Sequence, residues 1–376
     1  MQHTLPVPPH FKPKNVSKIW KVEYEQIAGA AREWQREHKI SPAISDKKKV
    51  CMLVIDMQNT FCIPGHELFV GGRSGKGAVD DTRRLCKFIY QNLPFITQII
   101  PTMDTHQAMQ IFHSFFFVDE SGNHPAPLTM ISSTDITKGK WRFNEPLAKQ
   151  LGYSTNFMEK HLLYYTQRLE RNSKYQLMIW PYHAMLGGIG HALAPAFEEA
   201  IFFHGIARNS QPDIQIKGSH PLTEHYSAIN PEVTHDANGR LMVGKNDALL
   251  KAARLRCRHH RRTGEKPLRR VDNLRFAGSI KEEHPAFVEK IYLLDDCSSA
   301  VCIPDVVDFT DDANAAYQRF ADAGMKLIRA QQSIAELLCR LFILNGAGKR
   351  LAPFFRMSRY SSFIPTFPSP KNQHRL

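Results

Sequence analysis

The sequence predicts an α/β fold of three layers, in which a central, mostly parallel sheet carries helices on both faces. Short apolar runs rich in branched residues alternate along the chain with longer amphipathic segments, a pattern typical of parallel sheets. Cys51–Ile55 is the clearest run, and its unbroken apolarity predicts a strand that is buried on both faces. Several runs end in a polar residue, at the position where α/β sheets place their ligands.

The remaining elements follow from the same patterns. Further strands are predicted at Phe95–Thr102, Gln176–Trp180, Asp213–Lys217, Lys290–Leu294 and Met325–Ile328, with a short additional strand at Ile201–His204. Helices are predicted at Ile19–Glu37, Val79–Asn92, His191–Ala200 and Thr310–Ala323, and a further helix begins in Asp247–Ala253.

Composition divides the chain into three parts. Residues 1–48 form an N-terminal arm and helix, residues 49–330 the main α/β domain, and residues 331–376 a basic tail of atypical composition. Within the main domain, residues 111–175 form a long, aromatic and irregular insertion. An insertion of this length suits either a lid over the site or a contact between subunits of a homo-oligomer.

The net charge of +13 raises the question of nucleic-acid binding. However, residues 254–275 carry a net charge of +7 and residues 331–376 a net charge of +6, so the rest of the chain is neutral. Basicity therefore belongs to two segments, and this distribution argues against nucleic acid as the main partner. A local basic patch for acidic partners at 254–275 stays open as an alternative.

The seven cysteines are scattered and form no Cys-x2-Cys pair, which argues against a disulfide framework and against a structural zinc site. The sequence contains no apolar run of 18 residues and no secretory signal pattern. We therefore expect a cytoplasmic protein with no membrane partner.

Four strands or their following loops supply potentially reactive side chains. Asp56 follows the first strand, Asp104 and His106 follow the second, His183 follows the third, and Lys217 ends the strand at 213–217. If these strands are parallel, the side chains gather at one edge of the sheet. Asp104, His106 and His183 would then suit a divalent metal, with water completing its coordination.

Each of these residues also has a plainer interpretation. Asp56 could simply cap the next element, and an Asp-x-His pair could be an ordinary loop. Lys217 and Asp56 could form a catalytic pair or a plain ion pair. The set as a whole favours a functional site more strongly than any single member does.

The motifs VIDMQNTF, TMDTH, WPYH with the glycine-rich turn after it, and IKG with YSA downstream, resemble the isochorismatase-like cysteine hydrolases, and among them the nicotinamidases. The resemblance runs from about Val50 to Ala330. It implies hydrolysis of a small planar amide, such as nicotinamide, to the acid and ammonia through an Asp–Lys–Cys triad. It also implies a three-layer α/β fold and a bound divalent metal, with zinc as the candidate.

The resemblance assigns a role to each matching residue. Asp56 would be the general base and Lys217 the charged partner of the nucleophile. Asp104, His106 and His183 would hold a metal that receives the pyridine nitrogen of the substrate, and His113 is a weaker additional neighbour of that metal.

The nucleophile does not match. The family's cysteine should follow an apolar strand between Lys217 and Lys290, but the segment 254–278 reads as arginine-rich sequence with Pro267 in it. Such a segment cannot form a buried central strand, because its charges would be unpaired and proline lacks a donor. Cys257 lies eleven residues before the expected position, which is that of Leu268. The chain as written therefore lacks its nucleophile.

A shift of reading frame accounts for this segment. Read one base later with permitted codon choices, Arg254–Asn273 becomes DCDAVIIAGQAKSHCVAWTI, a buried strand followed by Ser-His-Cys, with the cysteine at the position of Leu268. A genuine basic insertion is the rival hypothesis. The protein would then be a non-catalytic relative that acts in binding or as a scaffold. Cys297 and Cys302 are alternative nucleophiles, although small buried cysteines are commoner.

Overall fold

The structure is a computed structural model that describes residues 4–171, 176–246, 249, 288–303 and 307–337. The disrupted segment 254–278, including Cys257 and the position of Leu268, lies outside the described residues, as does most of the basic tail. The helix predicted to begin in Asp247–Ala253 also lies outside them, apart from Leu249.

The described elements follow the predicted alternation. The strands are β1 (Cys51–Ile55), β2 (Gln98–Asp104), β3 (Phe117–Val118), β4 (Met130–Ile131), β5 (Arg142–Phe143), β6 (Leu177–Met178), β7 (Gln215–Lys217), β8 (Tyr292–Leu294), β9 (Cys302–Ile303), β10 (Val307–Asp308) and β11 (Lys326–Ile328). The helices are α1 (Tyr24–Glu37), α2 (Asn59–Cys62), α3 (Gly77–Gln91), α4 (Ser133–Thr137), α5 (Pro146–Leu151), α6 (Thr155–Arg171), α7 (Pro195–Arg208) and α8 (Thr310–Asp322).

The central strands are parallel. β2 lies between β1 and β7, with Ile55 opposite Thr102 and Asp104 opposite Lys217. A second parallel pair is formed by β8 and β11. Parallel order brings the carboxyl ends of β1, β2 and β7 to one edge, as the sequence predicted.

Two apolar cores lie on opposite faces of these strands. Met52 and Val54 of β1 enter the first core with residues of α1, α3 and α7, whereas Cys51, Leu53 and Ile55 enter the second core with residues of α8. Alternate side chains of one strand thus enter different cores, which explains why its sequence is apolar without interruption. The arrangement confirms the predicted α/β fold with a mostly parallel sheet and helices on both faces.

The pair β8–β11 shares the same two cores. Tyr292 and Leu294 enter the first core, and Leu293 enters the second. Both strand groups therefore lie in one layer between the same helices.

The strand predicted at Ile201–His204 was wrong, whereas the helix predicted at His191–Ala200 is present from Pro195 onwards. The structure has a single helix, α7, which begins with Pro195 and ends before Asn209, whose φ is +49°. Proline suits the first turn of a helix, and asparagine tolerates the left-handed conformation that closes one. The apolar run Ile201–Phe203 continues the helix against the first core, where Ile201 and Phe203 are buried. A short buried run of this kind does not by itself distinguish helix from strand.

The insertion is more regular than predicted. It contains the antiparallel pair β3–β5, the strand β4, which pairs with β6 just after the insertion, and the helices α4, α5 and α6, the last with 17 residues. It has a third apolar core of its own, which includes Phe116, Leu162 and Trp180. The strand predicted at Gln176–Trp180 was therefore assigned to the wrong sheet, because β6 pairs with β4 of the insertion and not with the central strands.

The N-terminal arm lies against the main domain. Leu5, Phe11 and Val16 are buried in the first core, and the Leu5 amide donates to the carbonyl of Gln91. The domain boundary between residues 48 and 49 stays a prediction. Residues on both sides of it share one apolar core. No helix in the described part of the chain is long and apolar enough to cross a membrane.

Candidate active site and metal centre

Asp56 lies at the carboxyl end of β1 in a left-handed backbone conformation, with φ of +54°. Its amide donates to the carbonyl and hydroxyl oxygens of Thr102, and the Thr102 hydroxyl donates to Asp56 Oδ1 at 2.8 Å. Strict alternation along β1 would point Asp56 away from the face shared by Ile55 and Thr102. The positive φ breaks this alternation and turns the carboxylate towards Thr102. Such a conformation is uncommon for a residue other than glycine and occurs often at functional sites.

Lys217 joins the ends of β1 and β2. Its Nζ lies 2.9 Å from Asp56 Oδ2 and 3.0 Å from Asp104 Oδ1, and it donates to the carbonyl of His225 at 3.1 Å. These three contacts account for the three protons of the ammonium group. The lysine is buried, and it therefore forms the link between the acid at Asp56 and the predicted metal ligands.

The charges set the ionisation of this cluster. Burial would lower the pKa of Lys217, but Asp104 and Asp56 outweigh it and raise that pKa above its ordinary value. Burial also raises the pKa of Asp56, against the opposing effect of Lys217. For Asp104, burial is outweighed by the charges of His106 and Lys217, which hold its pKa well below the usual range. Asp56 is thus the more basic of the two carboxylates, as a general base should be.

Asp104, His106 and His183 converge as predicted. One ligand atom of each lies within 4.8 Å of the other two, and all three residues are buried. Asp104 Oδ2 is 3.0 Å from His106 Nε2 and 3.9 Å from His183 Nε2. Two ligands of a tetrahedral zinc ion, each about 2.1 Å from the metal, lie about 3.4 Å apart, so these separations suit a shared ion.

The hydrogen bonds of the two imidazoles also fit a metal. His106 Nδ1 lies 3.1 Å from the carbonyl of Gly218, and His183 Nδ1 lies 2.8 Å from that of Pro181. Because a carbonyl only accepts, each Nδ1 carries a proton, and each Nε2 is the nitrogen left to bind the metal, as in metal-bound histidines. The buried Nε2 of His106 makes no hydrogen bond within the described structure. The residues present therefore fit a divalent metal.

His183 reaches the site through a loop and not from a central strand. The His106 amide donates to the carbonyl of Ala184, and the Leu186 amide donates to the carbonyl of His106. These two bonds join the glycine-rich loop to the end of β2. Burial, together with the positive charge of His106, lowers the pKa of His183 to about 4 and keeps its imidazole neutral.

His113 lies next to the metal ligands but does not converge with them. Its ring centroid is 5.9 Å from that of His106 and 6.3 Å from that of His183, and it is not part of the converging set. Burial lowers its pKa to about 3, so it is a neutral side chain packed against the metal ligands.

Gln58 is a site residue to which the sequence analysis gave no role. Its side chain is fully buried, its Oε1 accepts from the Asp104 amide at 2.7 Å, and its Nε2 donates to the Asp104 carbonyl at 2.8 Å. The amide group thus pairs with the backbone of Asp104 as a neighbouring strand would. A second bond from Nε2 to the carbonyl of His191 fixes the loop that carries His183. The only feature of the sequence that could have indicated this role is the position of Gln58 two residues after Asp56, within the same motif.

Gly218 lies so close to the metal ligands that only glycine fits at this position. Its φ is +85°, and a Cβ there would lie 2.5 Å from Asp104 Oδ1 and 2.8 Å from His106 Cε1. Glycine after Lys217 therefore allows the chain to pass directly against two metal ligands.

Glu224 is the second residue that the sequence analysis missed. It is 4% exposed and lies near enough to His106, Asp104 and Lys217 for their charges to act on it. Burial raises its pKa to about 7. The sequence offered no signal beyond an acid ahead of the YSA motif.

The cysteines of the described residues belong mainly to the cores. Cys51, Cys62, Cys86 and Cys297 are buried, and Cys302 is partly exposed. Cys297 lies in the first core, and its Sγ is 3.7 Å from Asp296 Oδ1. Its position favours the interpretation of a buried structural cysteine.

No protein-family model matches this chain, and no curated protein matches it either. Among solved structures, a nicotinamidase/pyrazinamidase of Acinetobacter baumanii is similar, with 16% identity and a TM-score of 0.40 over 76% of this chain and 98% of that one. The yeast nicotinamidase has 14% identity and a TM-score of 0.43, with 74% and 98% covered. A Pyrococcus horikoshii pyrazinamidase in complex with zinc has 14% identity and a TM-score of 0.36, with 75% and 99% covered. Since these likenesses concern the fold alone, function must be inferred from the side chains.

Proposed function

We propose that this fold is built for hydrolysis of a small amide such as nicotinamide, and that the chain as written has lost the nucleophile. The observation that carries the proposal is the position of Lys217 between Asp56 and Asp104. It joins a basic carboxylate to a set of ligands for a divalent metal, at distances of 2.9 and 3.0 Å. A structural ion pair needs only one such partner.

The chemistry of Asp56 requires a thiol nearby. Asp56 would take the thiol proton, and the thiolate would add to the amide carbon. The proton held by Asp56 would pass to the leaving nitrogen as the carbon–nitrogen bond breaks, so that ammonia departs. Water would then hydrolyse the thioester, giving the acid and the free thiol. Lys217 would stabilise the negative charges on Asp56 and the nucleophile during these steps. Asp104, His106 and His183 would hold a divalent metal, which when bound would orient the substrate through its ring nitrogen.

Ammonia release from nicotinamide tests the proposal in three proteins. One is the chain as written, the second has 254–273 replaced by the frame-restored sequence, and the third is the restored protein with alanine in place of the restored cysteine. We expect ammonia only from the second protein, and loss of this activity when Asp56→Asn is added to it. Release by the chain as written refutes the loss of the nucleophile, and no release by the restored protein refutes the amidase.

Sequencing of the DNA across codons 254–278 tests the cause separately. A single intact frame that encodes the arginines would exclude the frameshift and favour a genuine insertion. The assembled Lys217 cluster would then suit the second candidate, a non-catalytic protein that binds small amides. Equilibrium binding of nicotinamide without turnover would identify that function, and the variant His183→Ala should abolish such binding.

A further inference from the structure

One oxygen of Glu224 has no partner within the described structure. Oε1 accepts from the amide of His225 at 3.1 Å, but Oε2 is buried and makes no hydrogen bond. An unpaired buried carboxylate oxygen is costly, on the order of 1–3 kcal/mol or more for a charged group. Such an oxygen indicates a donor that arrives from outside the chain.

Glu224 is placed beside the metal ligands. The next carbonyl in the chain, that of His225, accepts from Lys217 Nζ, which also contacts Asp104. Glu224 is 4% exposed and Lys217 is 7% exposed, so both side chains lie inside the protein. Glu224 therefore belongs to the same buried cluster as the ligands, although it is not one of the three converging residues.

The charges of this cluster are unbalanced. One lysine cation, Lys217, contacts Asp56 and Asp104, and Glu224 adds a third buried carboxyl group to the cluster. In the state that metal binding requires, with the histidines neutral and the three carboxylates ionised, two negative charges remain, and a divalent cation would neutralise both. Buried charges that are not paired destabilise the fold by several kcal/mol, so this excess favours a bound cation.

We propose that Glu224 is a positioning residue of the metal centre, whose Oε2 accepts a hydrogen bond from a water molecule bound to the metal. Sites with three protein ligands keep water in the remaining positions, and acceptors around such ligands strengthen metal binding. The inference rests on the metal centre of the proposed function, and it adds a fourth residue to the three ligands of that centre.

The insertion has a defined part in this arrangement. The Glu224 amide donates to the hydroxyl of Tyr165 in α6. In the same helix, Nε2 of His161 lies 3.1 Å from the carbonyl oxygen of Leu222. On the other side, the Glu224 carbonyl accepts from the amide of Glu232 at 2.8 Å. Residues 220–232 are thus held against α6, so the insertion fixes the loop that carries Glu224.

Zinc affinity of the full-length chain tests the proposal without reference to activity. The protein is freed of metal with a chelator and titrated with Zn²⁺ in competition with a chromophoric chelator. We expect Glu224→Gln to weaken zinc binding about 10–100-fold, the usual effect of removing an acceptor next to metal ligands. Glu232→Gln is the matched control, because it is the same change at a buried residue of the same loop, and we expect its affinity to stay within about threefold of the wild type.

Stability of the metal-free proteins separates this role from a purely structural one. Glutamine keeps the bond from the His225 amide and removes an unpaired charge, so metal-free Glu224→Gln should unfold at a temperature equal to or above that of the wild type. Lower stability with unchanged zinc affinity overturns the proposal and leaves the metal centre intact. Absence of zinc binding by the wild type overturns both. Tyr165→Phe, which removes the hydroxyl that positions Glu224, should weaken zinc binding severalfold, and unchanged affinity would contradict the role given to the insertion.

Discussion

Replacement of Lys217 by methionine should be among the most destabilising single changes in this protein. Methionine fills much of the same volume but leaves Asp56 and Asp104 without the cation that lies 2.9 and 3.0 Å from them. The lysine is 7% exposed, so water cannot take its place. Removing one partner of a buried ion pair costs about 3–5 kcal/mol. That is a large share of the 5–15 kcal/mol that is typical of a folded domain.

Urea unfolding at pH 7, followed by circular dichroism, measures the effect. The control is Lys21→Met, because the side chain of Lys21 is 85% exposed, and we expect that change to stay within about 0.5 kcal/mol. Adding Asp56→Asn to Lys217→Met removes one of the stranded carboxylates and should recover part of the loss. Coupling of this kind is the signature of a direct interaction.

The loss should shrink as the pH falls. In the wild type, His106 and Lys217 hold the pKa of Asp104 below its usual range, so its contribution to stability is present above about pH 4 and is lost only at lower pH. Without the lysine, the pKa of both carboxylates rises in the folded state, which then binds protons between pH 7 and 5. If Lys217→Met lowers the free energy of unfolding by less than about 1 kcal/mol at pH 7, or by an amount that does not depend on pH, then Lys217 does not join Asp56 to Asp104 as inferred.

Two further changes test the surroundings of the site and the first core. Gly218→Ala should weaken zinc binding at least tenfold, because the added Cβ would meet Asp104 and His106. Gly239→Ala is the control, since Gly239 has a similar φ of +80° and no neighbour within 4 Å, and it should leave the affinity unchanged. Equal affinities of the two variants in a zinc titration would contradict the steric argument. Burial raises the pKa of Glu199 to about 7, so the folded state holds a proton that the unfolded state releases, and stability should fall on the order of 2 kcal/mol as the pH rises from about 4.5 to 7. Glu199→Gln should remove this pH dependence, and an unchanged slope in thermal unfolding would show that another group causes it.

Much of the central sheet could be predicted from local sequence. β1, β2, β8 and β11 lie within a few residues of the predicted runs. The first three strands are buried along almost their whole length, so their apolarity is visible in the sequence. The residues Ile201–His204 of α7, and the sheet to which β6 belongs, were predicted wrongly for the same reason. A short apolar run indicates that its residues are buried. It does not indicate whether they form a helix or a strand, or to which sheet a strand belongs.

The insertion shows a second limit. Its regular elements are two-residue strands and short helices around a separate core, and strands of this length carry almost no periodic signal. The functions of Gln58 and Glu224 were hidden for a related reason. Each depends on contacts with residues far away in the chain, and neither residue type indicates by itself that it is buried.

By itself, the sequence determined which groups stand at the strand ends: Asp56, Asp104, His106 and Lys217, in an order that parallel strands bring to one edge. Only the tertiary structure decided how these groups face one another. The positive φ at Asp56 turns its carboxylate towards Thr102, and Lys217 contacts Asp104 on the adjacent strand β2 and reaches across β2 to Asp56. Local sequence restricts backbone choices residue by residue, whereas the pairing of charges 113 and 161 residues apart is set by the packing that excludes water from around them.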